Sequence, residues 1–149
     1  MKATAVKAVS KKDSAATRSA SVKNGASAAH DLIRNVQAGL KFAEVEALRR
    51  DLDLPLDRLA ETLGIARATL HRRKSAGRLA PDESDKVVRF ARIFHQAEEV
   101  FGTADRAREW LAFPQYGLGG AVPLDYARTE VGAREVEDLL GRIEYSVYG

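Results

Sequence analysis

From His30 to the last residues of the chain, apolar side chains recur three and four residues apart, and this spacing constrains the fold more than any other feature. It gives each segment one apolar face, as in a helix that packs on one side, and Gly or Pro separates many of the segments. No stretch shows the sustained alternation of apolar and polar residues that predicts a strand, and no repeat of solenoid length is present. The sequence therefore predicts an all-α fold.

The same spacing locates the individual helices along the chain. It predicts helices over about residues 32–40, 42–48, 55–63, 66–74, 81–101, 105–112, 123–127 and 131–143. On the long helix that begins near Pro81, the residues expected to face inward are Val87, Val88, Ala91, Phe94, Ala97, Val100 and Phe101. Residues 113–122 contain one Pro and three Gly and are predicted to form a structured loop.

Residues 1–29 differ in composition from the rest of the chain. They consist largely of Ala, Ser, Thr, Lys and Val and contain no aromatic residue, Leu or Ile. Such a segment cannot bury enough apolar surface to offset the entropy lost on ordering. We expect a disordered basic arm, which either serves only for solubility or lies along phosphates.

Charge is unevenly distributed along the chain. The net charge is +5 for residues 1–30, −2 for 31–66, +5 for 67–92 and −5 for 93–149. A basic middle segment indicates a polyanionic partner, and the same polyanion would repel the acidic end. The acidic end is therefore expected to face a different partner.

Several classes of protein are excluded by composition. There is no cysteine, hence no disulfide framework, thiolate metal site or thiol nucleophile. The longest uncharged run, residues 110–124, is shorter than the roughly 18 apolar residues that span a bilayer. No apolar segment of the secretory type follows Met1. We expect a cytoplasmic protein.

Residues 56–78 have the pattern of a helix-turn-helix. Two helices that cross through a very short turn need a small residue at their contact, a Gly at the turn and an aliphatic anchor in the second helix. Ala60, Gly64 and Leu70 meet these needs in that order. Many helical hairpins share such positions, but here the second helix is also strongly basic, and no acidic residue lies between Glu61 and Asp82.

This basic helix is predicted to bind DNA. The N-terminal part of a recognition helix reaches base edges in the major groove, where Arg can bind guanine O6 and N7 together. Residues toward its far end are better placed to contact phosphates, which position the protein without reading sequence. The residues expected to read bases are Arg67, Ala68, Thr69 and Arg72, and those expected to contact phosphates are Arg73, Lys74 and Arg78. An ordinary solvated basic face is the alternative.

Catalytic, metal and cofactor chemistry receives little support from the sequence. His95 with Glu98 and Glu99 has the spacing of half a di-metal carboxylate site, but the other half is missing. The glycines at 117, 119 and 120 are not followed by the Lys-Ser/Thr of a phosphate-binding loop. We expect no enzyme, no metal and no cofactor.

The end of the chain carries two tyrosines in an acidic context. Exposed Tyr is a common interface anchor because it provides a large contact area at little entropic cost. Tyr145 and Tyr148 would either contact a partner or pack back on the last helix.

Beyond these patterns, residues 33–149 resemble one known family, the Xre-type antitoxins of the RES–Xre toxin–antitoxin systems, a group that includes the ParS and MbcA antitoxins. The resemblance is carried by two blocks. The first comprises residues 64–74, Gly77-Arg78-Leu79 and residues 83–89. The second, more specific block comprises residues 97–102, Trp110-Leu111, Leu118-Gly119-Gly120, Pro123-Leu124-Asp125, residues 129–132, Val136, Leu140 and Arg142-Ile143.

The resemblance implies two functions for the chain. The helix-turn-helix region of residues 30–92 would bind operator DNA of its own operon. The C-terminal domain of residues 93–149 would block the active site of a RES-domain toxin that uses NAD. A cleft that binds a pyrophosphate is expected to be electropositive, so an acidic partner suits it. The residues expected to contact the toxin are Arg142, Glu144, Tyr145, Ser146, Tyr148 and Gly149.

Two departures from the family pattern and one alternative function remain. Ala66 stands where the family usually has Ser or Thr to cap the recognition helix, and residues 1–29 match nothing in the family. The alternative is a plain repressor whose C-terminal domain serves for dimerisation or for sensing a ligand at the loop of residues 113–122. In either case DNA binding is expected to require a homodimer, because one short recognition helix reads too few bases.

Overall fold

The computed structural model of the chain describes residues 25–148 and the side chains of residues 27–146. This range is helical, as the spacing predicts, and its extended pairing is limited to one bridge between Lys41 and Arg78. The elements are α1 Gly25–Ala38, α2 Phe42–Leu52, α3 Leu56–Leu63, α4 Arg67–Ala76, α5 Pro81–Phe101, α6 Ala104–Ala112, a 3-10 turn Tyr116–Leu118, α7 Pro123–Tyr126 and α8 Glu130–Tyr148.

The chain divides into two units, Met1–Gln37 and Ala38–Gly149. In the first unit, α1 begins at Gly25 rather than near His30, so the helix extends into the segment predicted as a disordered arm. The reason is composition, since residues 25–29 are Ala-rich and Ala is the best helix former. The apolar face predicted for this helix is not buried, because Leu32 is 45% and Ile33 52% exposed. The rest of the predicted arm, residues 1–24, lies outside the described residues.

The core of the second unit draws side chains from α2 to α8. On α5, the prediction is correct for Val87, Phe94 and Ala97, which are buried, whereas Val88 and the other predicted positions are only partly buried. The buried face is instead completed by Phe90 and Ile93. The largest fully buried side chains of the unit include Val45, Leu48, Leu59, Leu63, Leu70, Phe90, Ile93, Phe94, Leu111, Val136 and Leu140.

The segment before α2 pairs with the segment after α4. The amide of Leu79 donates to the carbonyl of Leu40, and the amide of Phe42 donates to the carbonyl of Gly77, both at 2.9 Å. Gly39 makes this approach possible, because its φ is +90° and a Cβ there would lie 2.1 Å from the carbonyl oxygen of Leu79. The pairing fixes the end of α4 against the start of α2.

Two residues in the first turn of α5 are buried, which the sequence did not indicate. Glu83 is 6% exposed and Ser84 is fully buried. The Glu83 carboxylate accepts a hydrogen bond from the amide of Ala80 at 2.7 Å and so caps the helix. The Ser84 hydroxyl donates to the carbonyl of Ala80 and accepts from the amide of Leu40, both at 2.8 Å. These contacts join α5 to the paired segment before α2.

The last helix, α8, packs on α5 through buried apolar residues flanked by ion pairs. Arg89 Nε donates to Glu130 at 3.2 Å, and Arg92 Nε donates to Glu137 at 2.7 Å. Gln96 adds a hydrogen bond from its Nε2 to the carbonyl of Glu137 at 3.1 Å. Two cations counted in the basic middle segment are therefore paired with acids of the C-terminal segment.

The loop of residues 113–122 is ordered by one side chain and several backbone bonds. The amide of Gln115 donates to the carbonyl of Ala121 at 3.0 Å, and its side-chain Nε2 donates to the carbonyl of Trp110 at 2.9 Å. Gly117 lies against α8, where a Cβ would be 2.7 Å from a methyl group of Leu139. The structured loop is confirmed.

Candidate functional site

α3 and α4 form a helix-turn-helix, with Gly64, Ile65 and Ala66 between them. Gly64 adopts φ +70°, and the amide of Ile65 donates to the carbonyl of Ala60 at 2.9 Å, which ends α3 in a sharp turn. Ala60 is 1% exposed and Leu70 is fully buried. The small contact residue, the turn glycine and the aliphatic anchor are all where the sequence predicts them.

The N-terminus of α4 projects from this turn into solvent. Ala66 occupies the N-cap and supplies no side-chain hydrogen bond. Arg67 and Ala68 are exposed and Thr69 is partly buried, while the next residue, Leu70, fixes the helix to the core. The residues predicted to read bases therefore lie at an accessible helix start, the part of a recognition helix that reaches base edges.

Two exposed side chains of α4 are bound by carboxylates of α3. Arg67 Nη2 donates to Glu61 Oε1 at 2.5 Å, and His71 Nε2 lies 2.9 Å from Asp57 Oδ1. The hydrogen bond from Arg67 holds the pKa of Glu61 below its ordinary value, and the one with His71 does the same to the pKa of Asp57. The same hydrogen bond to Glu61 raises the pKa of Arg67. We did not predict these contacts from the sequence.

Arg73 and Arg78 make contacts within the fold. Arg73 Nε donates to the buried Glu83 carboxylate at 2.8 Å, and Arg78 Nη1 donates to the carbonyl of Gly39 at 2.9 Å. Each guanidinium thus connects the helix-turn-helix to the elements around it. The contact of Arg73 could not be foreseen because the first turn of α5 looks solvated in the sequence.

Arg72 and Lys74 are the other exposed cations of α4. Neither forms an ion pair or a side-chain hydrogen bond with any residue in the described part of the chain. Together with Arg67, they give the outer side of α4 its positive charge. The seven residues predicted to bind DNA therefore lie on α4 or just after it. Some of them could bind a ligand only after a hydrogen bond or ion pair within the fold is broken.

The predicted C-terminal tail is helical. α8 continues to Tyr148, past the predicted end at Ile143, because residues 144–148 contain no Gly or Pro. Arg142, Glu144 and Ser146 are exposed, and Ser146 bonds only back to its own helix, with its hydroxyl 2.8 Å from the carbonyl of Arg142.

Tyr145 projects from this end of α8. It is 81% exposed, so it does not pack back on the helix bundle. The side chain of Tyr148 and all of Gly149 lie outside the described residues. Of the two alternatives for the tyrosines, the structure decides only for Tyr145 and leaves its ring available to a partner.

Further exposed aromatic residues lie in the C-terminal region, and sequence reasoning did not single them out as a surface. Tyr116 is fully exposed and Phe113 is 59% exposed. An open groove of about 380 Å³ is lined by Phe101, Arg106, Glu109, Trp110, Phe113 and Gln115. Their signal in the sequence is weak, because apolar residues in a glycine-rich loop are expected to pack.

The residues considered for metal or phosphate binding lie on α5 and in the loop of residues 113–122. His95 Nδ1 lies 4.0 Å from Glu98 Oε1 on the same helix, and the described residues contain no group of three His, Asp or Glu side chains able to hold a metal ion. Gly119 and Gly120 both adopt positive φ and form the turn that ends the loop. No helix within residues 25–148 is both long and apolar enough to cross a membrane.

Both halves of the chain match known protein families. Residues 31–92 match the family described as antitoxin Xre-like helix-turn-helix domain. Residues 96–145 match the family described as antitoxin Xre/MbcA/ParS C-terminal toxin-binding domain. The two matches meet within α5, which spans both.

Three curated relatives are similar to the chain, and each is named antitoxin Xre. The one from Yersinia enterocolitica is 32% identical over 119 residues, which cover 78% of this chain and 80% of that protein. The one from Photorhabdus laumondii is 39% identical over 72 residues, or 48% of this chain and 49% of that protein. The one from Pseudomonas putida is 40% identical over 65 residues, or 44% of this chain and 41% of that protein.

Proposed function

The chain belongs to the Xre-like antitoxin family, with a helix-turn-helix domain and an Xre/MbcA/ParS toxin-binding domain, and from this premise we propose that it blocks the active site of a RES-domain, NAD-consuming toxin and represses its own operon. As an antitoxin it is not an enzyme. Its toxin-binding domain implies a cognate toxin, and its helix-turn-helix implies DNA. The identity of the toxin, the means of inhibition and the autorepression form the proposal.

The end of α8 is the part of the molecule that we assign to the toxin's active site. The observation that carries this assignment is Tyr145, an aromatic side chain that is 81% exposed at the end of a helix in the toxin-binding domain. The neighbouring Glu144 is exposed and has no ion-pair partner among residues 25–148. A cleft that binds the pyrophosphate of NAD is electropositive and favours such an acidic, aromatic segment. Arg142 and Ser146 complete the proposed contact within the described residues, and Tyr148 and Gly149 extend it.

The exposed side of α4 is the part that we assign to operator DNA. Arg67, Ala68, Thr69 and Arg72 would read bases, because they lie at or near the helix N-terminus. Lys74 would contact a phosphate through its exposed ammonium group. One nitrogen of the Arg73 guanidinium binds Glu83, and one nitrogen of the Arg78 guanidinium binds the carbonyl of Gly39. These two residues would contact phosphates only with their remaining nitrogens.

The assembly that acts on DNA would be a homodimer in the cytoplasm. One recognition helix reads few base pairs, so two copies would bind half-sites about one helical turn, or a multiple of it, apart. The alternative, a plain repressor that senses a ligand, has the open groove beside Phe113 in its favour. The match of residues 96–145 to a toxin-binding domain favours the antitoxin.

The experiment that tests the proposed inhibition is an NAD-consumption assay on the product of the adjacent gene, purified alone and with this protein. The full chain is expected to suppress NAD consumption, and removal of residues 145–149 or the substitution Tyr145→Ala is expected to restore most of it. Tyr116→Ala is the matched control, since Tyr116 is also an exposed tyrosine of the C-terminal region but lies on the loop before α7. Full inhibition by the shortened chain would refute the assignment of the α8 end. An adjacent gene product that is harmless when expressed alone would favour the plain repressor.

A further inference from the structure

Four exposed side chains form two parallel bridges between α3 and α4. Asp57 and Glu61 are four residues apart on α3, and Arg67 and His71 are four residues apart on α4, so each pair lies on one face of its helix. Glu61 binds Arg67, and Asp57 binds His71, at 2.5 and 2.9 Å. Each bridge joins a carboxylate to a side chain on or beside the surface that we assign to DNA.

These bridges contribute little to the stability of the fold. The side chains are between 41% and 59% exposed, and ion pairs at such exposure are largely screened by solvent. The helix-turn-helix is instead held by Leu59, Leu63 and Leu70, which are at most 2% exposed. The main effect of the carboxylates is therefore on the charge that α4 presents to a ligand.

A carboxylate bound to Arg67 affects the complex with non-specific DNA differently from the complex with the operator. Non-specific binding depends almost entirely on cations that neutralise phosphates. In a non-specific complex, Glu61 competes with phosphate for Arg67 and adds a negative charge near the DNA backbone. At a matching site, guanine O6 and N7 accept two hydrogen bonds from one Arg and replace the carboxylate with a geometrically specific partner.

We propose that Glu61 and Asp57 are specificity-determining residues, which weaken binding to non-specific DNA more than binding to the operator by holding Arg67 and His71 until base contacts replace them. The inference rests on the proposed binding of DNA by α4. Lys74, which has no such partner in the described part of the chain, supplies a constant attraction to phosphates. Glu61 also lies 3.3 Å from Arg58 Nη1, so its substitution releases two guanidiniums.

The test compares Glu61→Gln and Asp57→Asn with Asp53→Asn. The control makes the same change in charge at an exposed residue that has no ion-pair partner within the described range, and Asn tolerates the left-handed backbone found there. The probes are the duplex upstream of the protein's own gene and a scrambled duplex of equal length and composition. Affinity for each is measured at several salt concentrations.

Glu61→Gln is expected to tighten binding to the scrambled duplex by about five- to tenfold at 0.1 M salt, the effect of one added phosphate contact, and to steepen its salt dependence by about one unit. The operator should gain less than about threefold, because Arg67 already leaves Glu61 in that complex. The ratio of the affinity for the operator to the affinity for the scrambled duplex therefore falls for Glu61→Gln, falls less for Asp57→Asn and stays constant for Asp53→Asn. In an Arg67→Gln background, Glu61→Gln should change the ratio less than it does in the parent chain.

Two results would overturn the inference. One is an equal gain on both duplexes for Glu61→Gln. The other is an equal fall in the ratio for Asp53→Asn, which would make net charge the cause. Failure of the parent chain to bind either duplex would instead overturn the proposed binding of DNA by α4. Thermal melting of each variant confirms that it is folded.

Discussion

Replacement of Arg73 with Ala should destabilise the folded chain by about 1.5–3 kcal/mol, the range for hydrogen bonds to charged groups. Glu83 is 6% exposed, and its carboxylate has two bonds, one to the amide of Ala80 at 2.7 Å and one to Arg73 at 2.8 Å. Loss of the guanidinium leaves a buried carboxylate without its charged partner. The Arg73 side chain is itself 31% exposed, so water can enter and the loss stays below the 3–5 kcal/mol found for fully buried pairs.

Urea denaturation at neutral pH measures this loss. Arg72→Ala is the matched control, because it removes the same side chain from the adjacent position of α4, where it is exposed; its effect should stay within about 0.5 kcal/mol. The slope of unfolding free energy against urea should be the same for both variants. Equal stability of the Arg73→Ala and Arg72→Ala variants would refute a structural role for Arg73 and leave it as an ordinary phosphate contact.

Three further changes test separate parts of the structure. Ala66→Ser supplies the missing N-cap of α4 and should raise the free energy of unfolding by about 1 kcal/mol; no gain in urea denaturation would contradict this. Gly132→Ala puts a Cβ 1.8 Å from a backbone carbonyl oxygen at the end of α7, so it should lower stability by about 1–3 kcal/mol, whereas Gly141→Ala, with open space, should not. By NMR titration, the pKa of Glu61 should lie below the ordinary value of a glutamate, because of the hydrogen bond from Arg67, and should rise in Arg67→Gln; an identical pKa in both would contradict the bridge. Because that pKa is lowered in the folded state, the small contribution of the bridge to stability is fully present above the unfolded-state pKa of Glu61 and is lost as the pH falls through its folded-state pKa.

The parts of the fold that local chemistry determines could be predicted from the sequence. Gly64 must adopt a left-handed backbone, Ala60 must be small and Leu70 must be apolar within one short turn, so the sequence locates the helix-turn-helix directly. The short helix at Pro123 also follows from its own residues. Helix ends were less predictable, because α1 and α8 continue through residues that carry no stop signal.

Contacts between distant segments could not be predicted. Glu83 resembles a solvated residue in an acidic first turn, and only the arrival of Arg73 from α4 buries it with a partner. Arg89 and Arg92 count as part of a basic segment, yet α8 supplies acids for both. A charge count along the chain therefore overstates the free positive charge available to a polyanion.

The means of inhibition is the central claim for this antitoxin, and the dependence of toxin activity on NAD concentration tests it most directly. If the end of α8 occupies the NAD cleft, sub-saturating amounts of the full chain should raise the apparent KM of the toxin for NAD and leave kcat unchanged. The chain without residues 145–149 should raise the apparent KM far less. A fall in kcat at unchanged KM, retained by the shortened chain, would place the inhibitory contact outside the cleft and contradict the account.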